Sequence, residues 1–271
     1  MNHTAKTNLD VCYCPINDQL KAYCLQGIIP GPEESEDSFF KRAKKLTNAD
    51  AETPKVRAPY LQKAFQSIYN LYGVSHINVK LFHSNAKLMP WEGGATWISD
   101  NEVSIQLPRR RYWLARSDYT EIITHEFVHV MRQKFDEPIF EELIAYQSSP
   151  KYWRRILGPF LAQSWRCFLL LGSFVLGQIA DWYSLSCHWT PIITALATFP
   201  LAILTSIRHY QFQKVKKMME SSFRPSFANF AMLFLTDREI IRFAQSDPAK
   251  ICKYLKSGKS LRLRSLSLFI P

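Results

Sequence analysis

Apolar positions along this chain change their spacing in a way that marks out elements. Leu61, Phe65, Ile68, Leu71 and Tyr72 recur at helical intervals, which predicts a helix over 59–72 that Gly73 closes. Before it, residues 1–30 show no sustained period and read as irregular, down to the turn Pro30-Gly31-Pro32. The acidic opening Glu33-Glu34-Ser35-Glu36-Asp37 followed by the basic Lys41-Arg42 and Lys44-Lys45 suits a helix dipole and places a helix near 33–47. From residue 74 the period drops to two. Ile77, Val79 and Leu81 alternate with polar residues, and so do Val103, Ile105 and Leu107, so both stretches read as strands. Trp91 to Trp97 between them reads as a turn leading into a third strand. Helical spacing returns after Ser117, the expected cap of a helix that carries Asp118 and Glu121 in its first turn and runs to about Lys134. The turn Asp136-Glu137-Pro138 then feeds a second helix from about Ile139 to Ser148.

Two long apolar stretches follow. The first centres on Cys167 to Gly177 and reaches with its flanks from about Ser164 to Tyr183; the second, Trp189 to Ile207, carries no charged side chain at all. Such a length spans the ~30 Å hydrocarbon core of a bilayer. Arg166 near one end of the first stretch suits snorkelling, and Asp181 with Trp182 and Tyr183 suits an interface at the other. The connection Ser184 to His188 is short, so a transmembrane helical hairpin is expected. Lys151, Arg154, Arg155 and Arg166 lie before it, Arg208, Lys214, Lys216 and Lys217 lie after it, and its own loop has no Lys or Arg. Basic flanks stay inside, so both termini are expected in the cytoplasm, with two spans in a bacterial inner membrane or its equivalent.

The formal net charge of +11 fits this placement, because much of the basic charge sits at membrane edges. No nucleic-acid recognition motif is present, so no nucleic-acid partner is expected. Charged residues make up 21% and hydrophobic residues 47%, a balance that excludes both a disordered chain and one that is membrane throughout. Six cysteines are scattered without a CxxC pair and read as free thiols in a reducing compartment. Met1 to Cys14 has no basic start followed by an apolar run, so no cleavable signal peptide is expected. Residues 208–271 read as a basic, mostly helical tail: Thr236-Asp237-Arg238-Glu239 is a capping box, and Asp247-Pro248 opens a helix that Gly258 closes. Its end, Leu261 to Leu268, alternates apolar and polar residues and reads as a strand or a surface-binding segment.

The residues with chemistry are His125-Glu126-Phe127-Val128-His129. Histidines four apart on a helix share one face, one turn apart, so two imidazole nitrogens can hold one Zn2+ at ~2.0–2.1 Å. Glu126 projects about 100° round from His125, beside the metal and not onto it, where a general base stands to take a proton from a water the metal polarises. A third ligand is needed. Glu142 on the next helix is the best candidate, because Ala145 after it would let the two helices approach closely; Glu141 is the rival, and only one of the two can face the metal.

HEFVH followed by a Glu142-Leu143-Ile144-Ala145 turn resembles the zincin metallopeptidases, in the gluzincin arrangement of two His and one Glu. The resemblance covers roughly residues 74–149. It implies that His125, His129 and Glu142 are metal ligands, that Glu126 is the catalytic base, and that an edge strand before the active helix binds substrate backbone, here Ala95 to Ser99 or Val103 to Leu107. Tyr146 stands where many members have Asp, and Tyr146 or Tyr152 becomes the candidate oxyanion stabiliser. Metzincins are excluded, because Val130 to Pro138 has neither a third His nor the intervening Gly; deformylase-like enzymes need an upstream Cys in a strand; intramembrane proteases need an apolar motif helix, and Asp118, Glu121, Arg132 and Lys134 make this one polar.

The expected architecture is α+β. It comprises an N-terminal region (1–58), a small zincin-like domain of strands packed on the motif helix (59–158), a transmembrane helical hairpin (159–207) and the tail (208–271). The expected function is that of a membrane-anchored, zinc-dependent metallopeptidase acting on a peptide or protein substrate from the cytoplasmic side. The alternative is a non-catalytic zincin-like membrane scaffold or assembly factor.

Overall fold

The structure is a computed structural model and describes residues 16–48, 58–89, 92–99, 102–109, 118–183 and 188–270. Over these the chain is mixed α+β, mostly helical, with one small sheet. Helix α1 (Ile16–Leu25) corrects the reading of residues 1–30 as irregular over the part described. Leu20 packs with Phe39 and Ala43, while Cys24, one turn on, enters the main core. Two buried positions in ten residues are too few for a visible period. Helix α2 (Glu36–Asn48) begins with Glu36 and Asp37 and has Lys45 in its last turn, as the dipole requires. Helix α3 (Ala58–Tyr72) ends at Gly73, whose φ of 71° is left-handed, the conformation that favours glycine after a helix.

Strands β1 (Lys80–His83), β2 (Ala95–Ile98) and β3 (Val103–Leu107) form a sheet in the order β1-β3-β2. β3 runs parallel to β1 and antiparallel to β2, with Thr96 opposite Ile105. Of the two stretches expected to offer a free edge, Val103 to Leu107 is therefore paired on both sides. Among the described residues β2 lies at one edge of the sheet and β1 at the other, and Trp97 and Ile98 of β2 are exposed.

Helix α4 (Tyr119–Met131) carries the His125–His129 motif and is capped by Asp118, whose carboxylate accepts from the Thr120 N–H; Ser117 lies outside the described residues. Ile122, Ile123, Phe127, Val130 and Met131 are all buried, as the spacing predicts. Helix α5 (Glu141–Tyr146) starts two residues later than expected. The amides of Ile139 and Phe140 donate to the Asp237 carboxylate, at 2.7 and 3.0 Å, and so are held by a distant residue instead of an earlier turn.

Helices α6 (Tyr152–Leu161), α7 (Ser164–Tyr183) and α8 (Trp189–Ser222) follow. α8 is long and apolar enough to cross a membrane, and no residue of its apolar stretch is fully buried in the fold. α7 is long enough, at 20 residues, but reaches that apolarity only jointly with α6, from which it is bent by 79°. The two long helices lie side by side: a Cβ added at Gly177 would fall 2.4 Å from the Thr190 Cα, so glycine is what lets them approach. Asp181 caps α8 by accepting from the N–H groups of Trp189 and Thr190 and, at 2.5 Å, from the Thr190 hydroxyl. Arg166 does not snorkel. It is buried and donates to the carbonyls of Pro159 and Phe160 at the end of α6.

Helices α9 (Pro225–Leu233), α10 (Asp237–Ala244), α11 (Pro248–Leu255) and α12 (Leu261–Ser267) complete the chain. They are helical as expected, and α10 opens on the Thr236–Glu239 capping box. They are not a tail. Phe212, Val215 and Met219 from the end of α8, with Leu233, Phe234, Ile240 and Leu266, share one core with Phe127 and Ile144. The division expected at residue 207 is thus not a division of cores. α12 also stands where residues 261–268 read as a strand or a surface-binding segment. Leu263 and Leu266 are buried one turn apart, and Arg262, at a position that reads as solvent-facing, is buried against Glu239 at 2.7 Å. The alternation mistook a buried, paired cation for an exposed one.

Candidate metal centre

Two helices meet at the site. On α4, His125 and His129 point their Nε2 atoms at one another, 3.2 Å apart. From α5, Glu142 brings one carboxylate oxygen to 3.5 Å from His125 Nε2 and the other to 3.6 Å from His129 Nε2. Among the described residues these three form a group able to hold a metal ion, their ligand atoms all within 4.8 Å of one another. A tetrahedral ion with bonds of ~2.0–2.1 Å needs ligand atoms about 3.4 Å apart. The His125–His129 separation matches that edge, while Glu142 reaches the two imidazoles with different oxygens, and one ligand atom from each residue lies within 4.8 Å of the others. All three side chains are partly accessible, so the site opens to solvent.

The electrostatics fit the same reading. Burial opposes a charge on His129, yet the hydrogen bond to Glu141 and the charges of Glu142 and Glu126 raise its pKa to about 9. Burial likewise opposes the Glu142 carboxylate, and the His125 hydrogen bond with the His129 charge brings it down to about 2. Both shifts have one cause, the pairing of imidazole with carboxylate, and a metal at the three ligand atoms would compete with protons for the same nitrogens.

Glu141 and Glu142 divide the work that the sequence left to one of them. Glu142 faces the Nε2 atoms. Glu141 stands behind His129, accepting from Nδ1–H at 3.0 Å, and so fixes the tautomer that leaves Nε2 free as a ligand. Its other oxygen accepts from Arg132 Nε at 2.6 Å. Arg132 is fully buried, and its Nη1 donates to the carbonyls of Leu233 and Leu235 at 2.6 and 3.1 Å. The end of α9 therefore holds His129 in place through Arg132 and Glu141. Asp237 acts in parallel by fixing the chain just before α5, and its own N–H donates to Glu137 at 2.8 Å. None of this support was visible in sequence, apart from the cation three residues after His129. Arg132→Met should destabilise the chain by about 2–3 kcal/mol, since it removes the donor from one Glu141 oxygen and from the carbonyls of Leu233 and Leu235 while Glu141 keeps His129. Denaturation of the full chain in detergent micelles measures this; a loss under 1 kcal/mol would show that the network carries little.

Glu126 is buried, and its Oε2 accepts from the Thr96 hydroxyl of β2 at 2.7 Å. Gly94, just before β2, keeps the way open: a Cβ there would fall 2.9 Å from Ile122 and 3.4 Å from Glu126 Oε1. The edge strand and the carboxylate next to His125 are thus adjoined. Tyr146 lays its ring edge-on to His125, with centroids 4.5 Å apart. Burial and the Glu142 charge push its hydroxyl up to about 12, so it stays a proton donor. Tyr152 is 75% exposed on α6, a poor position for an oxyanion stabiliser. Cys24, Cys167 and Cys252 are free thiols. No family model, curated protein or solved structure matches the chain.

Proposed function

We propose that this chain is a membrane-anchored zinc metallopeptidase that hydrolyses peptide bonds of a peptide or protein substrate at the cytoplasmic face. One observation carries the reading: His125, His129 and Glu142 bring one ligand atom each to within 4.8 Å of one another, with the buried carboxylate of Glu126 beside them. Two imidazoles, one carboxylate and an opening to solvent suit catalytic zinc. When bound, zinc supplies a Lewis acid that lowers the pKa of water toward ~7. The residues of the chain do the rest. Glu126, oriented by the Thr96 hydroxyl, takes the proton from the attacking water and passes it to the leaving amine. The free edge of β2 receives an extended substrate backbone beside it. The neutral hydroxyl of Tyr146 serves as a donor toward the developing oxyanion.

The anchor in this reading is a two-span hairpin of α7 and α8, in a bacterial inner membrane or its equivalent. The loop between the spans lacks Lys and Arg while both flanks are rich in them, which supports cytoplasmic placement of both flanks and both termini. Arg132 and Arg262 are buried in pairs with Glu141 and Glu239, and the remaining cations come with no nucleic-acid recognition motif, which argues against nucleic acid as the partner.

The test is zinc content and turnover on the same preparation. Full chain purified without chelator is expected to carry one zinc and to cleave an unstructured protein such as casein, with activity lost to chelation and restored by zinc. A zinc-free chain would sink the reading. A zinc-loaded chain that cleaves neither casein nor a random peptide library would leave the scaffold function in its place.

A further inference from the structure

Helix α6 has two faces with different partners. Its inner face docks on the metal centre. A Cβ added at Gly158 would lie 2.3 Å from the Tyr146 ring, and that ring is the one packed on His125. Arg154 reaches Glu121, one turn before His125 on α4, at 2.9 Å, and Arg155 donates to the Ser149 carbonyl at 2.6 Å. The outer face is apolar and uncovered. Tyr152, Trp153, Leu157 and Leu161 are all exposed, and at 100° per residue they fall within about half the helix circumference, with Gly158 and Arg155 on the other half and Arg154 at the border between them.

The corner after α6 says what meets that outer face. The chain bends by 79° into α7, and Arg166 holds the corner by donating to the Pro159 and Phe160 carbonyls. A helix at nearly a right angle to a span lies in the plane of the bilayer. Its exposed Trp and Tyr near one end and Leu along its length are the side chains that favour the headgroup boundary.

We propose that α6 lies in the headgroup layer and that its Gly158 face positions His125 through Tyr146, so that the bilayer surface sets the geometry of the metal site. This rests on the membrane-anchored metal reading above. Tyr146, Gly158 and Glu121 act here as positioning residues. The function it adds is spatial: the site is completed at a lipid surface, at a fixed height above it.

Two measurements on the full chain in phosphatidylcholine–phosphatidylglycerol nanodiscs test this. A nitroxide at Leu157→Cys, with the accessible native thiols replaced by Ser, should be more accessible to oxygen than to a nickel chelate, at a depth of about 5–10 Å. A label at Leu196→Cys serves as the reference for the span. A water-exposed label at 157 with a deep one at 196 overturns this proposal alone; water exposure at both overturns the membrane anchor as well. For the metal side, Co2+ replaces zinc as a visible probe. Gly158→Ala should shift the Co2+ absorption bands and weaken Co2+ binding by about 10–100-fold. Tyr146→Leu, which removes the ring without adding an atom, should also move the bands. Bands unchanged in both variants overturn the positioning role, and a wild-type chain that binds no Co2+ overturns the metal reading and the positioning together.

Discussion

Glu126→Gln is expected to leave the metal and the fold in place and to lower turnover by about 10²–10⁴-fold, the contribution a positioned proton acceptor makes. The substitution is isosteric. Glu126 sits in a buried slot where the Thr96 hydroxyl donates to Oε2 at 2.7 Å, and a glutamine amide oxygen can accept the same bond. It is not among the three residues whose ligand atoms converge, so metal content should not change. What the amide cannot do is accept a proton from water. Elemental analysis, thermal unfolding and kcat on the same sample check the three parts separately. Full turnover in the variant would remove Glu126 from the chemistry. Loss of metal would mean that Glu126 is a ligand after all. In cells, a variant indistinguishable from wild type would favour the scaffold function over hydrolysis.

The parts of this site that lie close together in sequence were legible there. His125, Glu126 and His129 occupy one stretch of helix, and their relation follows from 3.6 residues per turn alone. Glu142 was found because its helix follows directly. The parts that depend on distant contacts were not. Arg132 reads as a surface charge near the end of α4, yet it is buried, and its partners at Leu233 and Leu235 lie about a hundred residues on. Nothing local marks a carbonyl at a helix end as the anchor of a histidine.

The misread segments fail for the same reason. α12 reads from its alternation as a strand or a surface-binding segment because Arg262 and Arg264 look solvated, while the fold makes it a helix and buries Arg262 against Glu239. The choice of β2 over β3 as the free edge needs the strand order, which places β3 between its neighbours. The close approach of Gly158 to Tyr146 is equally invisible: a glycine within an apolar run reads as a flexible point, and here it is the place where two helices touch. Charge and period predict exposure only where no partner intervenes, and this fold buries several charged groups in pairs.

Glu142→Ala and Glu141→Ala should separate sharply in metal binding. The sequence left these neighbours as rivals, while the geometry gives them different tasks. Glu142 supplies an oxygen at 3.5 Å from His125 Nε2 and another at 3.6 Å from His129 Nε2, so its loss leaves two imidazoles and no third protein ligand. His129→Ala should be equally severe, since the remaining ligand atoms come from His125 and Glu142 alone. In either variant zinc should no longer stabilise the chain. Wild type, at zinc a thousandfold above its Kd, should gain about 4 kcal/mol. Glu141→Ala removes only the carboxylate behind His129 Nδ1, at 3.0 Å, and a lost orienting partner of that kind costs about 10–100-fold in affinity. Zinc titration followed by the shift in unfolding midpoint reads all three. The expected order is wild type, then Glu141→Ala with a reduced shift, then Glu142→Ala and His129→Ala with none. A Glu141→Ala variant that loses zinc entirely while Glu142→Ala keeps it would reverse the assignment and make Glu141 the third ligand.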